Sequence, residues 1–347
     1  MDGRDGATVR YMRFGIIDHN DDSGRRHVQQ IEERLELVEA YDRLGFYAYH
    51  LTEHHGTPLA ITGSPHLMLA AAASRTSRLR LGTLITILSL YHPMRLIEET
   101  VMLDQLTGGR LDLGVGRGVS PAELAFYGVF GEEEAQERFD EALEILRHGL
   151  TSDSVTFSGK HYTLSQAPVV SRPVQRPHPP LWYGTRTPSK ARWCAQLGMP
   201  MMALVPSEKV RPLTDAYREE WAALGGVPGE LPPLGVTRSV VVAPTNTEAM
   251  KIANRAFSRF KENFELLWRR YAVPMPPVFP AGTFEGIHET GHFYAGDPAG
   301  ARDWVARHRD VGGISYMALE MCFGDMTPDE ALASAELFAT EVMPAFG

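Results

Sequence analysis

Past residue 10 the chain alternates short apolar runs with longer stretches in which apolar residues recur every three or four positions. The runs at 11–17, 46–51, 79–87, 111–115, 181–184, 199–205, 237–243 and 313–321 read as strands, and the stretches between them as amphipathic helices. In residues 28–44, for instance, Ile31, Leu35, Val38 and Tyr41 share one helical face, and Gly45 stops the helix. Further helices fall at 65–74, 93–106, 132–150, 188–197, 207–224, 247–264, 298–311 and 327–343. The one at 93 opens on a proline and has Gly108 past its end. Each strand is followed by a helix, which requires parallel pairing. Eight such units predict a closed (β/α)8 barrel, the TIM-barrel fold, rather than an open sheet.

Two stretches break this rhythm. Residues 155–164 read as a β-hairpin turning at Ser158-Gly159-Lys160, followed by a proline-rich connection, so an insertion is expected near 155–180. Residues 268–294 carry Pro274, Pro276, Pro277 and Pro280, several aromatics, His288 and His292, with no visible period. A long segment of this kind near 265–295 is expected to be an insertion that covers the barrel mouth. Polar, Gly/Asp-rich residues 1–10 are expected to form a disordered tail, and residues 11–347 one barrel domain.

Composition narrows the partners. With 34 basic and 43 acidic residues the formal charge is −9, which disfavours nucleic acid and anionic membrane surfaces. An anionic cofactor would therefore need a local basic pocket. The most apolar stretch, 79–90, is too short and too interrupted by Arg80, Gly82 and Thr83 to span a bilayer. No apolar signal core follows the N-terminus, so a cytoplasmic location is expected. Cys194 and Cys322 have neither metal-ligand nor disulfide-framework spacing and read as small buried hydrophobes.

In a barrel of this kind chemistry collects at the C-terminal ends of the strands. Glu53-His54-His55 ends the second predicted strand, His92-Pro93 follows the third, and Gly116-Arg117-Gly118 follows the fourth. Thr185-Arg186-Thr187-Pro188-Ser189-Lys190 follows the fifth and opens a helix, offering free N–H groups, hydroxyls and two cations to a phosphate. The same residues read equally well as an ordinary capped helix with solvated charges. Gly114, Gly116 and Gly118 do not make a dinucleotide fingerprint, because the third glycine comes one residue early and no helix is predicted there. Adjacent histidines at a strand end point to opposite sides, so no metal site is expected at His54-His55.

Several of these segments together resemble the luciferase-like flavin monooxygenases. They are Glu53-His54-His55, His92-Pro93-Met94-Arg95, the run Leu103-Asp104-Gln105-Leu106-Thr107-Gly108-Gly109-Arg110-Leu111-Asp112-Leu113-Gly114-Val115-Gly116-Arg117-Gly118, Gly198-Met199-Pro200-Met201 and Gly296-Asp297-Pro298. The likeness spans roughly residues 10–344, and the run from Asp104 to Gly118 is its most specific part. It implies a monooxygenase that takes reduced FMN from a separate flavin reductase and, with O2, forms a peroxide at the flavin C4a position to oxidise a small-molecule substrate. It also leaves room for a deazaflavin-dependent dehydrogenase, or for a non-catalytic flavin-binding subunit. A homo-oligomer, as a dimer, is expected.

Carried over position by position, the resemblance makes His54 the histidine needed for chemistry and Glu53 a residue lining the flavin. Arg117, Arg186, Thr187, Ser189 and Lys190 would meet the phosphate, with Arg138 a further phosphate candidate. An imidazole titrating near ~6.5 suits proton transfer around neutral pH. Two departures stand out. Luciferase has an acidic residue where this chain has Arg186, a change that favours a phosphate on electrostatic grounds. It also has a small-residue pair joined by a cis peptide under the flavin ring where this chain has Leu84-Ile85. The sequence alone does not establish a cis bond there, because it costs about 3–4 kcal/mol.

Overall fold

The computed structural model describes residues 11–274 and 284–347, so the expected tail at 1–10 lies outside the described residues. The chain begins with β1 (Arg13–Asp18), α1 (His27–Leu44), β2 (Ala48–Leu51), α2 (Pro65–Ala73), β3 (Arg80–Ile87), α3 (Pro93–Leu106) and β4 (Leu111–Gly116). Then come α4 (Pro121–Phe126), α5 (Glu132–Gly149) and the hairpin of β5 (Ser154–Ser158) and β6 (Thr163–Pro168). The alternation resumes with β7 (Leu181–Thr185), α6 (Pro188–Gln196), β8 (Met201–Ala203), α7 (Val210–Ala223) and β9 (Leu234–Val242). It ends with α8 (Asn246–Arg270), α9 (Phe284–Glu289), β10 (Phe293–Gly296), α10 (Pro298–Gly312), β11 (Tyr316–Glu320) and α11 (Pro328–Leu337).

Eight strands close a parallel ring in the order β1-β2-β3-β4-β7-β8-β9-β11, with β11 returning to β1. This is the TIM barrel that the alternation predicts. β2 and β11 are buried along their whole length, because helices cover their outer side and side chains fill the interior. Two apolar layers result. The larger lies between strands and helices. The smaller draws Ile17, Leu84, Trp182, Met202, Tyr316 and Ala318 from β1, β3, β7, β8 and β11, and it plugs the barrel. Gly15 makes room for this plug, since a Cβ there would stand 1.8 Å from the Tyr316 hydroxyl. Both cysteines are buried and free, and burial pushes the Cys194 thiol up to about 12 and Cys322 to about 11.

Three expectations need correction. The stretch at 268–294 is not aperiodic throughout: α8 runs on to Arg270, α9 follows at 284, and β10 pairs in parallel with Ser239–Val242 of β9. Three of the aromatics in this region are core residues, Phe284, Phe293 and Tyr294, with Phe284 and Phe293 buried against each other. Residues 275–283, also part of that expectation, lie outside the described residues. A short helix, α4, does open soon after Gly118, with the Ser120 hydroxyl accepting the Glu123 N–H. The signal was local: Ser, Pro and Glu at the N-cap, first and third helical positions. The last helix stops at Leu337 and continues as a π turn at 338–342. Among the described residues no helix is long and apolar enough to cross a membrane.

Candidate active site

A cavity of about 430 Å3 opens at the C-terminal ends of the strands, with Ile17, Leu84 and Met202 of the barrel plug as its floor. The peptide bond between Leu84 and Ile85 is cis, and the register of β3 against β4 shifts between Thr83 and Thr86. Both residues of this pair line the cavity, together with Glu53, His54, Arg117 and Arg186. Six positions named from the sequence therefore converge in one place.

Glu53 is fully buried and held from three sides. It accepts the Ile87 N–H at 2.7 Å and the Tyr91 hydroxyl at 3.0 Å, and it pairs with His55 Nε2 at 2.8 Å. A buried carboxylate persists only with such compensation. It ties the end of β2 to the segment just past the cis peptide. Burial and the Glu53 charge raise the Tyr91 hydroxyl pKa, so it stays a donor.

The two adjacent histidines diverge, as their spacing requires. His55 uses both ring nitrogens, Nε2 on Glu53 and Nδ1 on the Tyr127 hydroxyl at 2.9 Å. His54 lines the cavity with Nδ1 3.2 Å from Glu123 Oε1, while Glu123 Oε2 accepts the His55 backbone N–H. With Nδ1 committed to the carboxylate, Nε2 of His54 is left for the cavity. No cluster of His, Cys, Asp or Glu suited to a metal occurs among the described residues.

The basic residues separate into two groups. Arg186 lines the cavity with no hydrogen-bond or ion-pair partner among the described residues, and burial lowers its pKa from the ordinary value. Arg117 also lines it, held among the described residues by the Glu132 carbonyl at 3.4 Å and its exposed carboxylate at 3.6 Å, a weak pair. Gly118, at φ +86, turns the backbone away where a Cβ would meet Ile87 Cγ2 at 2.7 Å. The Thr187 hydroxyl caps α6 by accepting the Lys190 N–H and contacts the Ser189 hydroxyl at 3.2 Å. Lys190 Nζ sits 4.6 Å over the Trp193 ring. These three adjoin Arg186 in the chain but do not line the cavity. Arg138 does not line it either, being bonded to Glu134 one turn earlier in α5 at 2.8 Å.

The donor set suits a planar ligand with an anionic tail. One pole carries two under-committed guanidiniums. The Thr52 hydroxyl at the end of β2 lines the cavity, buried and without a partner among the described residues, as is Nδ1 of His292 on the opposite wall. Sequence reasoning missed Glu123, His19, Glu320 and the α8 phenylalanines as cavity residues, and named His292 only as part of the expected cover over the barrel mouth. Their signal is tertiary, since each comes from a different turn of the barrel.

Comparison with known proteins shows the family and the fold. The sequence profile of the luciferase-like monooxygenases matches residues 12–338. The chain is 40% identical to protein y4wF of Sinorhizobium fredii over 97% of this chain and 98% of that one. It is 27% identical to the oxygenase component of flavin-dependent trigonelline monooxygenase of Acinetobacter baylyi, over 70% and 68% respectively. Among solved structures, monooxygenase RslO1 of Streptomyces bottropensis superposes with a TM-score of 0.88 at 27% identity, covering 97% of this chain and 100% of that one. Two others share the fold. The oxygenating constituent of 3,6-diketocamphane monooxygenase from Pseudomonas putida, in complex with FMN, gives a TM-score of 0.79 at 19% identity over 97% and 99% of the two chains. The coenzyme F420-dependent tetrahydromethanopterin reductase of Methanopyrus kandleri gives 0.74 at 18% over 97% and 100%.

Proposed function

The chain belongs to the luciferase-like monooxygenases, and from that premise we propose that it is the oxygenase of a two-component system that uses reduced FMN and O2 to oxidise a small organic substrate. The observation that carries the proposal is the pairing, in one cavity, of two under-committed arginines with a carboxylate-oriented histidine. Reduced flavin, when bound, supplies the electrons and the oxygen-activating chemistry. Arg186 and Arg117 hold its phosphate, aided by the hydroxyls and N–H groups at the start of α6 and by Lys190. Glu53, Leu84 and Ile85 line the ring end, and Thr52 offers it a hydroxyl. His54 holds or releases a proton at Nε2, its ring set by Glu123 at Nδ1. Phe257, Phe260, Ile287 and Phe293 keep water from this chemistry.

A separate reductase fits an oxygenase without a nicotinamide fingerprint, and the Acinetobacter relative is itself described as an oxygenase component. FMN is preferred over a deazaflavin because the Acinetobacter relative and RslO1, each 27% identical, are described as monooxygenases, the former flavin-dependent, whereas the F420-dependent neighbour shares the fold alone.

The test is a titration of purified protein with FMN and with coenzyme F420, followed by turnover with NADH, a flavin reductase and 18O2 over a substrate panel. FMN is expected to bind, F420 to bind far more weakly, and one 18O atom to enter product. Tight F420 binding with alcohol oxidation in the absence of oxygen would overturn the reading. Self-association as a dimer belongs to the same proposal. α2 and α3 leave Leu67, Met102 and Leu106 exposed, and light scattering is expected to give twice the chain mass. A monomer at micromolar concentration would remove the dimer.

A further inference from the structure

The ring order sets the tips of β11 and β1 directly across the barrel from those of β4 and β7. Arg117 and Arg186 follow β4 and β7. The opposite pole of the same cavity is built from His19, just past β1, and Glu320, the last residue of β11. Glu320 is buried and engaged through both oxygens. Oε1 lies 2.5 Å from His19 Nδ1, and Oε2 accepts the Ser239 hydroxyl at 2.7 Å. A carboxylate fixed in this way fixes the ring it holds. Nδ1 of His19 is committed, so Nε2 is the ring nitrogen left for the cavity, a donor when the ring is protonated, and no described residue bonds to it. Burial works against charge on this ring, but Glu320, with Asp21 and Asp18 behind it, outweighs burial and holds the imidazole above its ordinary pKa.

The surroundings are those of a ligand subsite. The His19 ring stacks on His54 with centroids 5.7 Å apart and planes at 19°, so both imidazoles share one wall of the cavity. Phe260 meets His19 edge-on at 5.4 Å, and Phe257 and Phe264 on the same side of α8 line the cavity with it. A carboxylate–histidine pair that merely joined β1 to β11 would need neither a cavity-facing ring nor a spare donor. Three phenylalanines at helical spacing present flat apolar surface, to which a ring is complementary.

We propose that His19, held by Glu320 and Ser239, is the substrate-recognition group of this cavity, donating a hydrogen bond to the oxygen of an otherwise apolar, ring-bearing ketone or phenol packed against the α8 phenylalanines. The proposal rests on the monooxygenase reading for calling the ligand a substrate, and it places substrate at the pole opposite the phosphate. His19 touches the substrate oxygen. Glu320 and Ser239 are positioning residues that act through it.

The experiment compares acetophenone with ethylbenzene, which has nearly the same shape but lacks the oxygen, by calorimetric or NMR titration with and without FMN. Wild type is expected to prefer acetophenone by about tenfold, the worth of one charge-assisted hydrogen bond after desolvation. The double variant His19→Phe/Glu320→Gln keeps a flat ring against His54 and avoids an unpaired buried carboxylate. It is expected to bind both probes equally, with ethylbenzene affinity unchanged. Glu320→Gln alone is expected to lower the preference while sparing ethylbenzene, whereas a purely structural pair would lower both. Equal affinities in wild type, or a preference that survives the double variant, overturns the subsite. FMN binding is read on the same samples, so a wild type that prefers acetophenone but ignores FMN keeps the subsite and sinks the flavin reading.

Discussion

Replacing Arg186 with glutamate is expected to weaken FMN by about a hundredfold or more while changing riboflavin affinity by no more than about threefold. The two flavins differ only in the phosphate, so the ratio isolates the contact. Arg186 lines the cavity with no partner among the described residues. No existing ion pair has to break before it can meet an anion. Losing a charge-assisted bond costs about 1.5–3 kcal/mol, and the introduced carboxylate adds repulsion at the same spot. Arg138→Ala is expected to leave FMN within about twofold, because that guanidinium is bonded to Glu134 and lies outside the cavity. Lys190→Ala should fall between, its ammonium being drawn toward Trp193. Flavin fluorescence titrations at two salt concentrations measure all of these. Equal losses of FMN and riboflavin in the Arg186 variant would remove the phosphate from this pole.

The barrel was legible because strand and helix periods alternate through residue 264 with one interruption, the hairpin insertion near 155–180, and each βα unit buries its own apolar stripe. Glu53, His54, Arg117 and Arg186 were legible for a related reason: strand tips in a barrel all face one mouth. What was not legible depends on contacts distant in sequence. β10 was hidden because its aromatics, Phe293 and Tyr294, sit in a stretch dominated by prolines and glycines, and its pairing partner lies more than 50 residues upstream in β9. His19 and Glu320 are 301 positions apart and become a pair only when β11 closes the ring on β1. No local pattern marks either. The Arg138 assignment shows the converse. A basic residue in a suggestive run can be absorbed by a carboxylate one helical turn away, and Glu134 at i−4 was visible in the sequence.

Replacing His54 with alanine is expected to leave folding and FMN binding largely intact while product per flavin oxidised falls below about a tenth of wild type. The change removes one hydrogen bond, from a side chain that is 22% exposed, to a carboxylate that keeps the His55 N–H as donor. That should cost about 1 kcal/mol, or roughly 1–2 °C in Tm for a chain of this size. Glu53, not His54, carries the local structure, since it joins Ile87, Tyr91 and His55 around one buried carboxylate. Proton transfer by a positioned imidazole contributes typically 10²–10⁴-fold to rate, far above that stability cost. Reduced flavin and O2 that fail to oxygenate substrate end as oxidised flavin and hydrogen peroxide, so peroxide release should rise as product falls. Glu123→Gln is the companion variant. It keeps an oxygen near His54 Nδ1 but removes the charge that orients the ring, and it should be partly uncoupled with flavin affinity unchanged. The measurement is product and hydrogen peroxide per NADH consumed, beside a thermal melt of each variant. A His54→Ala protein that stays coupled, or that loses activity only in proportion to unfolded protein, would make His54 a structural residue and move the proton chemistry elsewhere in the cavity.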